Sequence, residues 1–307
     1  MAAFRGPEPN VDCQPEACLQ IRRFPAGYAG AGVALALGGG FSRGFAHLGV
    51  LEVLEQAQIP ITAIVGTSIG GLLGAAYVDG ISLRDLCDLG RRVRLRDFLR
   101  FHRSEHSAQM QRKDCIGQFI QEWFHAHRLE QLPIPTAIVT TDLDTGAPYV
   151  FTKGSVELAI HATCAFPGLL KPVEFEGHRL ADGCIVAPVP TEIAARIYGG
   201  CVVGVRVDSN AATANFSENA VKVFDPAFHA SHTKSLEPSW VRHADVLLEP
   251  QVHQIGWNDF SRVDEAFAAG AEAMRRALPS LRELLARRSD SVSSPDVSFL
   301  GERELTL

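Results

Sequence analysis

Short, wholly apolar runs alternate along this chain with longer stretches whose apolar residues recur at helical spacing, and the alternation predicts strands and helices in turn. Val33-Ala-Leu-Ala-Leu37 is a continuous apolar run closed by three glycines, the pattern of a strand covered on both faces of a parallel sheet. From Gly44 to Ala57, Leu48, Leu51 and Leu54 line one face while Glu52, Glu55 and Gln56 take the other, and Pro60 lies just beyond; this predicts a helix. Ile61-Thr-Ala-Ile-Val65 predicts a second strand, which runs into Gly66-Thr-Ser-Ile-Gly70 and a small-residue helix from Gly71 to Tyr77. Strand-like runs recur at Thr136 to Thr141, Tyr149 to Thr152, Cys201 to Val207 and Asp245 to Leu248, with helical patterns around 82–90, 108–126, 155–164 and 189–198. Such alternation predicts an α/β fold, a three-layer sandwich around a mostly parallel central sheet. The runs at 136–141 and 149–152, joined through Asp144-Thr-Gly-Ala-Pro148, read as an antiparallel hairpin on that sheet.

The same pattern sets the domain organisation. Residues 1–30 are rich in Pro, Gly and Ala and read as an irregular extension ahead of one domain spanning 31–287. Residues 208–240 are polar, aperiodic and long for a connection inside a compact domain, so they read as a lid or an insert without fixed structure. The last long helix is expected from Arg262 to Arg287, followed by a Ser-rich, unstructured tail over 288–307.

Composition narrows the classes. The chain is 46% hydrophobic and 21% charged with a formal charge of −6, enough apolar content for a sizeable core and no global basic field for a nucleic-acid partner. The N-terminus has no apolar stretch behind a basic start, and no apolar run reaches the ~18 residues of a membrane span; the reading is a cytoplasmic chain. Seven cysteines, scattered and never spaced as CxxC, indicate neither a disulfide framework nor a zinc site. His125 and His127 are two apart and point to different helix faces. No metal and no cofactor are expected. Residues Arg91 to Arg103 carry six arginines interleaved with Val93, Leu95, Phe98, Leu99 and Phe101, which suits either peripheral contact with anionic lipid or an ordinary surface helix whose arginines reach into water.

Two loops carry candidate chemistry. In Gly66-Thr67-Ser68-Ile69-Gly70 a serine sits between a β-branched strand and a helix, flanked by glycines that tolerate a sharp turn. Such an elbow lifts the hydroxyl clear of the sheet and aims the helix N-terminus at it, favouring the developing alkoxide. The loop Gly38-Gly39-Gly40-Phe41-Ser42-Arg43-Gly44 joins the first strand to the first helix. It lacks the Gly-Lys-Ser/Thr of a phosphate-binding loop and the glycine spacing and acidic partner of a dinucleotide site. An oxyanion hole fits best, with main-chain N–H groups of Gly39, Gly40 and Phe41 as donors.

With these pieces, the sequence resembles the patatin-like phospholipases, in particular the bacterial branch related to the neuropathy target esterase catalytic domain. The matching segments are LALGGGFSRGFAHLGVLEVLE (35–55), VGTSIGG (65–71), ATCAFPGLLKPV (162–173) and ADGCIVAPVP (181–190). The resemblance implies a patatin-like fold and a Ser-Asp dyad without histidine, here Ser68 and Asp182. It also implies hydrolysis of fatty-acyl esters of phospholipids or lysophospholipids through an acyl-serine intermediate, and Arg43, Gly44, Gly66, Gly70 and Gly183 as supports of the loop and elbow. Burial would raise the carboxylate's pKa and make it a better base near neutral pH. Two positions depart from the family pattern: Phe41 stands where a fourth glycine is usual, and Cys184 where Gly or Ala is usual. Phe41 restricts positive φ and adds bulk beside the hole. The alternatives are a small-ester carboxylesterase, a non-catalytic lipid-binding pseudoenzyme, or a triad with His243 or His253 as base.

Overall fold

The computed structural model describes residues 32–93, 115–167, 169–207 and 239–293. The extension at 1–30, most of the arginine-rich stretch, most of 208–240 and the end of the tail lie outside them.

Eight strands form one sheet: β1 (Val33–Leu37), β2 (Ile61–Thr67), β3 (Thr136–Asp142), β4 (Pro148–Phe151), β5 (Val173–Phe175), β6 (His178–Asp182), β7 (Cys201–Val205) and β8 (Val246–Leu248). The order is β5-β6-β3-β2-β1-β7-β8, with β4 also on β3. Strands β3, β2, β1, β7 and β8 run parallel, while β4, β5 and β6 pair antiparallel. The helices are α1 (Ala46–Gln56), α2 (Ile69–Val78), α3 (Leu83–Arg92), α4 (Cys115–Trp123), α5 (Val156–Thr163), α6 (Thr191–Ile197), α7 (Ser239–Arg242) and α8 (Val263–Ser293). This is the expected mostly parallel α/β sandwich.

Alternation along β1 shows how the layers divide. Val33, Leu35 and Leu37 enter the larger core with α1, α2 and α8, and Ala36 faces the smaller one with Val65, Val139, Val202 and Ala194 of α6. Successive strand side chains point to opposite faces, so an all-apolar strand must be covered twice. Helix α8 lies across α1 at glycines: a Cβ on Gly49 would meet Phe267 O at 2.0 Å, and one on Gly270 would meet Ala46 O at 1.8 Å.

The sequence pattern passes over the β5–β6 hairpin, because its strands of three and five residues carry charged positions and no apolar run. Its turn is legible in the backbone: Glu176 and Gly177 both take positive φ, 49° and 85°, the signature of a type I′ turn. Arg179 donates through Nε to Asp144 Oδ1 at 2.9 Å and His178 Nδ1 to Asp142 Oδ2 at 3.1 Å, which tie the hairpin to the β3–β4 turn. The last helix also differs from expectation. It continues to Ser293, past Arg287, and Arg288 pairs with Asp245 at 2.6 Å, so the first part of the expected tail is helical. At the other flank, Ser239 and Trp240, placed by the sequence reading in the long insert, open α7.

Replacing Gly270 with Ala would gain about 1 kcal/mol of helix propensity against an overpacking cost of about 1–3 kcal/mol, since main chain rather than a flexible side chain blocks the methyl. The expected outcome is a lower urea midpoint at unchanged slope; a raised midpoint would show that the α1–α8 crossing has slack.

Candidate active site

The geometry of the site starts on β3. Thr140 and Thr141 pair with both β4 and β6, so these two strands occupy opposite edges of β3. Ile138 and Val139 pair with both β2 and β4, which puts β2 on the same edge as β6. Strand β2 ends opposite Val139 with Thr67, and β6 takes over opposite Thr140 with Asp182. One strand edge therefore brings residue 182 beside the turn at residue 68.

Ser68 occupies that turn at φ 53°, ψ −126°, a region that costs a non-glycine residue on the order of 1–3 kcal/mol and persists only when neighbours hold it. They do: its N–H donates to Thr163 Oγ1 at 2.8 Å, and Thr163 Oγ1 donates in turn to Val139 O. Thr67 Oγ1 donates to Ala187 O at 2.9 Å. Each of Gly44, Gly66, Gly70 and Gly183 sits where main chain or Ile69 fills the space of a Cβ. At Gly70 the obstacle is Leu37 O, 2.3 Å from the missing atom, so α2 starts in contact with the end of β1.

Ser68 Oγ donates to Asp182 Oδ2 at 2.6 Å. Asp182 is wholly buried; its Oδ1 accepts the Cys184 N–H at 2.9 Å, and its main chain is fixed by Thr141 Oγ1 and Ala165 O. Burial pushes its carboxyl up to about 6, against the opposing pull of donors from Ser68 and from the Cys184 amide and thiol. No imidazole stands between the two side chains.

The glycine loop is fastened residue by residue. Gly38 N–H donates to Val205 O and Gly39 N–H to Pro188 O, each at 3.1 Å. Gly39 is therefore not a free donor as the sequence led us to expect: its amide anchors the loop to the segment after Asp182. Gly40 N–H finds no main-chain acceptor among the described residues. Phe41 follows at φ 52°. Ser42 Oγ donates to Gly256 O at 2.8 Å and Trp257 O at 2.9 Å, and the buried Arg43 donates through Nε to Ile255 O at 2.8 Å. Arg43 thus ties the glycine loop to a neighbouring loop.

Sequence reasoning passed over His47 and Thr163. His47 is buried with Nε2 2.7 Å from Gly38 O; a carbonyl only accepts, so Nε2 carries the proton. Burial lowers its pKa to about 4, and the imidazole stays neutral at ordinary pH. Its position at the start of the helix that follows the glycines was the available signal. Thr163 lies in the segment 162–173 that carried the resemblance, where its hydroxyl had no assigned role.

Beside Ser68 opens a cavity of about 480 Å³, lined mainly by apolar side chains including Ile69, Leu72, Leu86, Phe119, Phe166 and Leu170. Its volume lies within the ~300–1,000 Å³ of pockets that enclose a small organic ligand. Arg92 is at its margin, while Arg91 pairs with Asp88 and Asp264; the rest of the arginine-rich stretch lies outside the described residues. Among the described residues, no group of three or more His, Cys, Asp or Glu is arranged to hold a metal ion, and no helix is long and apolar enough to cross a membrane.

Comparison with known proteins agrees with this architecture. The family model for patatin-like phospholipase matches residues 35–195. An uncharacterized NTE family protein of Mycobacterium tuberculosis is 31% identical over 231 residues, covering 72% of this chain and 63% of its own. A second from that organism is 26% identical over 286 residues, covering 84% of this chain and 48% of its own. The mouse patatin-like phospholipase domain-containing protein 6 is 30% identical over 188 residues, covering 58% of this chain and 14% of its own. The chain thus spans less than two thirds of the length of these relatives.

Because the Asp182 pKa is raised from 3.8 to about 6, the stability its protonated form contributes is fully present below 3.8 and is lost as pH rises through about 6, a difference of roughly 3 kcal/mol. Asp182→Asn is therefore expected to be more stable than wild type above pH ~6, with the gap closing toward pH ~4. Urea titrations across that range check it; a gap independent of pH would mean that the buried carboxyl is not the strained group.

Proposed function

We propose that this chain, which belongs to the patatin-like phospholipase family, is a serine lipid-acyl hydrolase in which Ser68 is the nucleophile and Asp182 the general base, a dyad without histidine. The observation that carries the reading is the direct 2.6 Å hydrogen bond from Ser68 Oγ to a fully buried Asp182. A carboxylate raised to about 6 is still ionised at neutral pH and is a better proton acceptor than one in water.

In this reading Oγ attacks the acyl carbonyl as its proton passes to Asp182. The charge on the tetrahedral oxygen is met by main-chain N–H groups of Gly40, Phe41 and Ile69, the last at the positive end of α2. Asp182 then returns the proton to the departing alcohol, leaving an acyl group on Ser68. Water, deprotonated by the same carboxylate, releases the acid and restores the hydroxyl. No part of the cycle requires a metal. The apolar cavity beside the serine supports fatty-acyl esters of phospholipids or lysophospholipids as substrates over small esters, since a long chain gains about 0.8 kcal/mol for each methylene it buries. The catalytic unit in this reading runs from β1 through α8, in a cytoplasmic protein that meets lipid surfaces transiently.

A fluorophosphonate probe is expected to label the wild type and to leave Ser68→Ala unlabelled; a well-folded wild type that resists the probe would make the chain a lipid-binding pseudoenzyme. On a panel of esters, long-chain and phospholipid substrates are expected to be cleaved, whereas cleavage of short esters alone would make it a small-ester carboxylesterase. Asp182→Asn is expected to lose roughly 10²–10⁴ in kcat. The wild-type kcat/KM is expected to fall with acid along a limb whose midpoint is about 6, the Asp182 value. A limb nearer His47's value of about 4, or none, would remove Asp182 from the role of base.

A further inference from the structure

Phe41 sits at φ 52°, a left-handed conformation that bulky side chains avoid and that glycine takes freely. A strained backbone of this kind persists only when its surroundings hold it, and the ring supplies the hold. It meets Phe166 edge-on at 5.4 Å between centroids and Trp257 edge-on at 5.1 Å, both favourable aromatic arrangements. The two rings come from unrelated segments, one following α5 and one in the loop that accepts the Ser42 hydrogen bonds. Phe41 and Phe166 both line the cavity that reaches Ser68, and Trp257, which does not, backs the Phe41 ring from outside. One residue thus belongs to the cavity wall through its side chain and to the glycine loop through its amide.

These two roles are mechanically linked. The angle φ is the rotation about the N–Cα bond, which joins the amide to the carbon that carries the ring, so a ring held in its seat narrows the directions open to the amide. An acyl chain filling the cavity would press on Phe41 and Phe166 and confine the ring to its seat; an empty or part-filled cavity would leave it room to move away from a conformation the backbone disfavours.

We propose that Phe41 is a specificity-determining residue that couples acyl-chain occupancy of the cavity to the oxyanion loop, so that chain length acts on kcat and not on KM alone. The proposal rests on the hydrolase reading above and goes beyond it by assigning acyl selectivity to one side chain. It is a case of binding energy from a remote part of a substrate being realised only in the transition state.

Steady-state kinetics with p-nitrophenyl esters of short and long saturated acyl chains test it, after fluorophosphonate labelling of wild type and its loss in Ser68→Ala have established the hydrolase. For wild type, kcat is expected to rise about 10-fold or more from the shortest to the longest soluble ester. In Phe41→Ala that rise is expected to disappear from kcat and to show in KM instead. Phe41→Leu, which keeps bulk but loses the ring edges, and Trp257→Leu, which leaves residue 41 intact, are expected to shift the same way in part and serve if the alanine variant does not fold. A wild type whose chain-length dependence lies wholly in KM overturns the proposal, as do variants that keep the wild-type kcat profile. A uniform gain for all esters in Phe41→Ala also overturns it, since Phe41 would then be only an obstruction. Absence of labelling in wild type, by contrast, refutes the hydrolase reading itself.

Discussion

An ionisable carboxyl with no exposed surface is the constraint on which the rest of this structure turns. Removing Asp182 from water disfavours its charge, and its folded-state value of about 6 records how far three donors fall short of replacing the lost hydration. Every nearby feature bears on that shortfall. The Ser68 hydroxyl and the Cys184 amide each donate to one oxygen, while Thr141 holds the main chain. Further donors would lower the pKa toward that of an exposed aspartate, and fewer would raise it. Ionising a carboxyl held in this way costs stability, and the cost grows as pH rises through about 6.

The sheet accounts for the encounter of two residues 114 positions apart. Strand β3 offers one edge, and two strands share it end to end, β2 leaving at Thr67 and β6 arriving at Asp182. Where two strands meet on one edge, both chains must depart sharply, and the departures are the serine turn and the Asp-Gly turn. The strain at Ser68 is thus a consequence of topology, and Thr163 supports it by taking an amide that the turn removes from the ladder.

This explains which parts were legible beforehand. The strands β1 and β2 announce themselves because burial on both faces demands unbroken apolar runs, and the elbow because Gly66 and Gly70 answer to main chain pressed against them. The β5–β6 hairpin does not, since one face of it meets water and its strands are too short to display a period. Asp182 was singled out only through resemblance: nothing local distinguishes it from a turn aspartate, and its burial comes from partners far along the chain. Gly39 misled for a related reason. A glycine-rich loop advertises exposed amides, but which amide is already bonded depends on Pro188, a residue that no local pattern connects with it.

Preorganisation of the loop follows from the same distribution of anchors. Gly38 is held through both its amide and its carbonyl, by Val205 and His47; Gly39 is held by Pro188; Ser42 and Arg43 are held by the 255–257 segment. Gly40 and Phe41 lie between these fixed points, the Gly40 carbonyl accepting the Arg43 N–H at 3.2 Å and the Phe41 ring seated on Phe166 and Trp257. In the hydrolase reading, a fixed dipole would stabilise developing charge without reorganising at the moment of reaction, so the freedom left in this span matters. Glycine at both positions would leave that span slack in the conformational sense, because φ of either sign would be open to it. A phenylalanine at the second position, gripped by two rings, replaces some of that freedom with packing, and it does so where the packing surface is also the wall of the cavity.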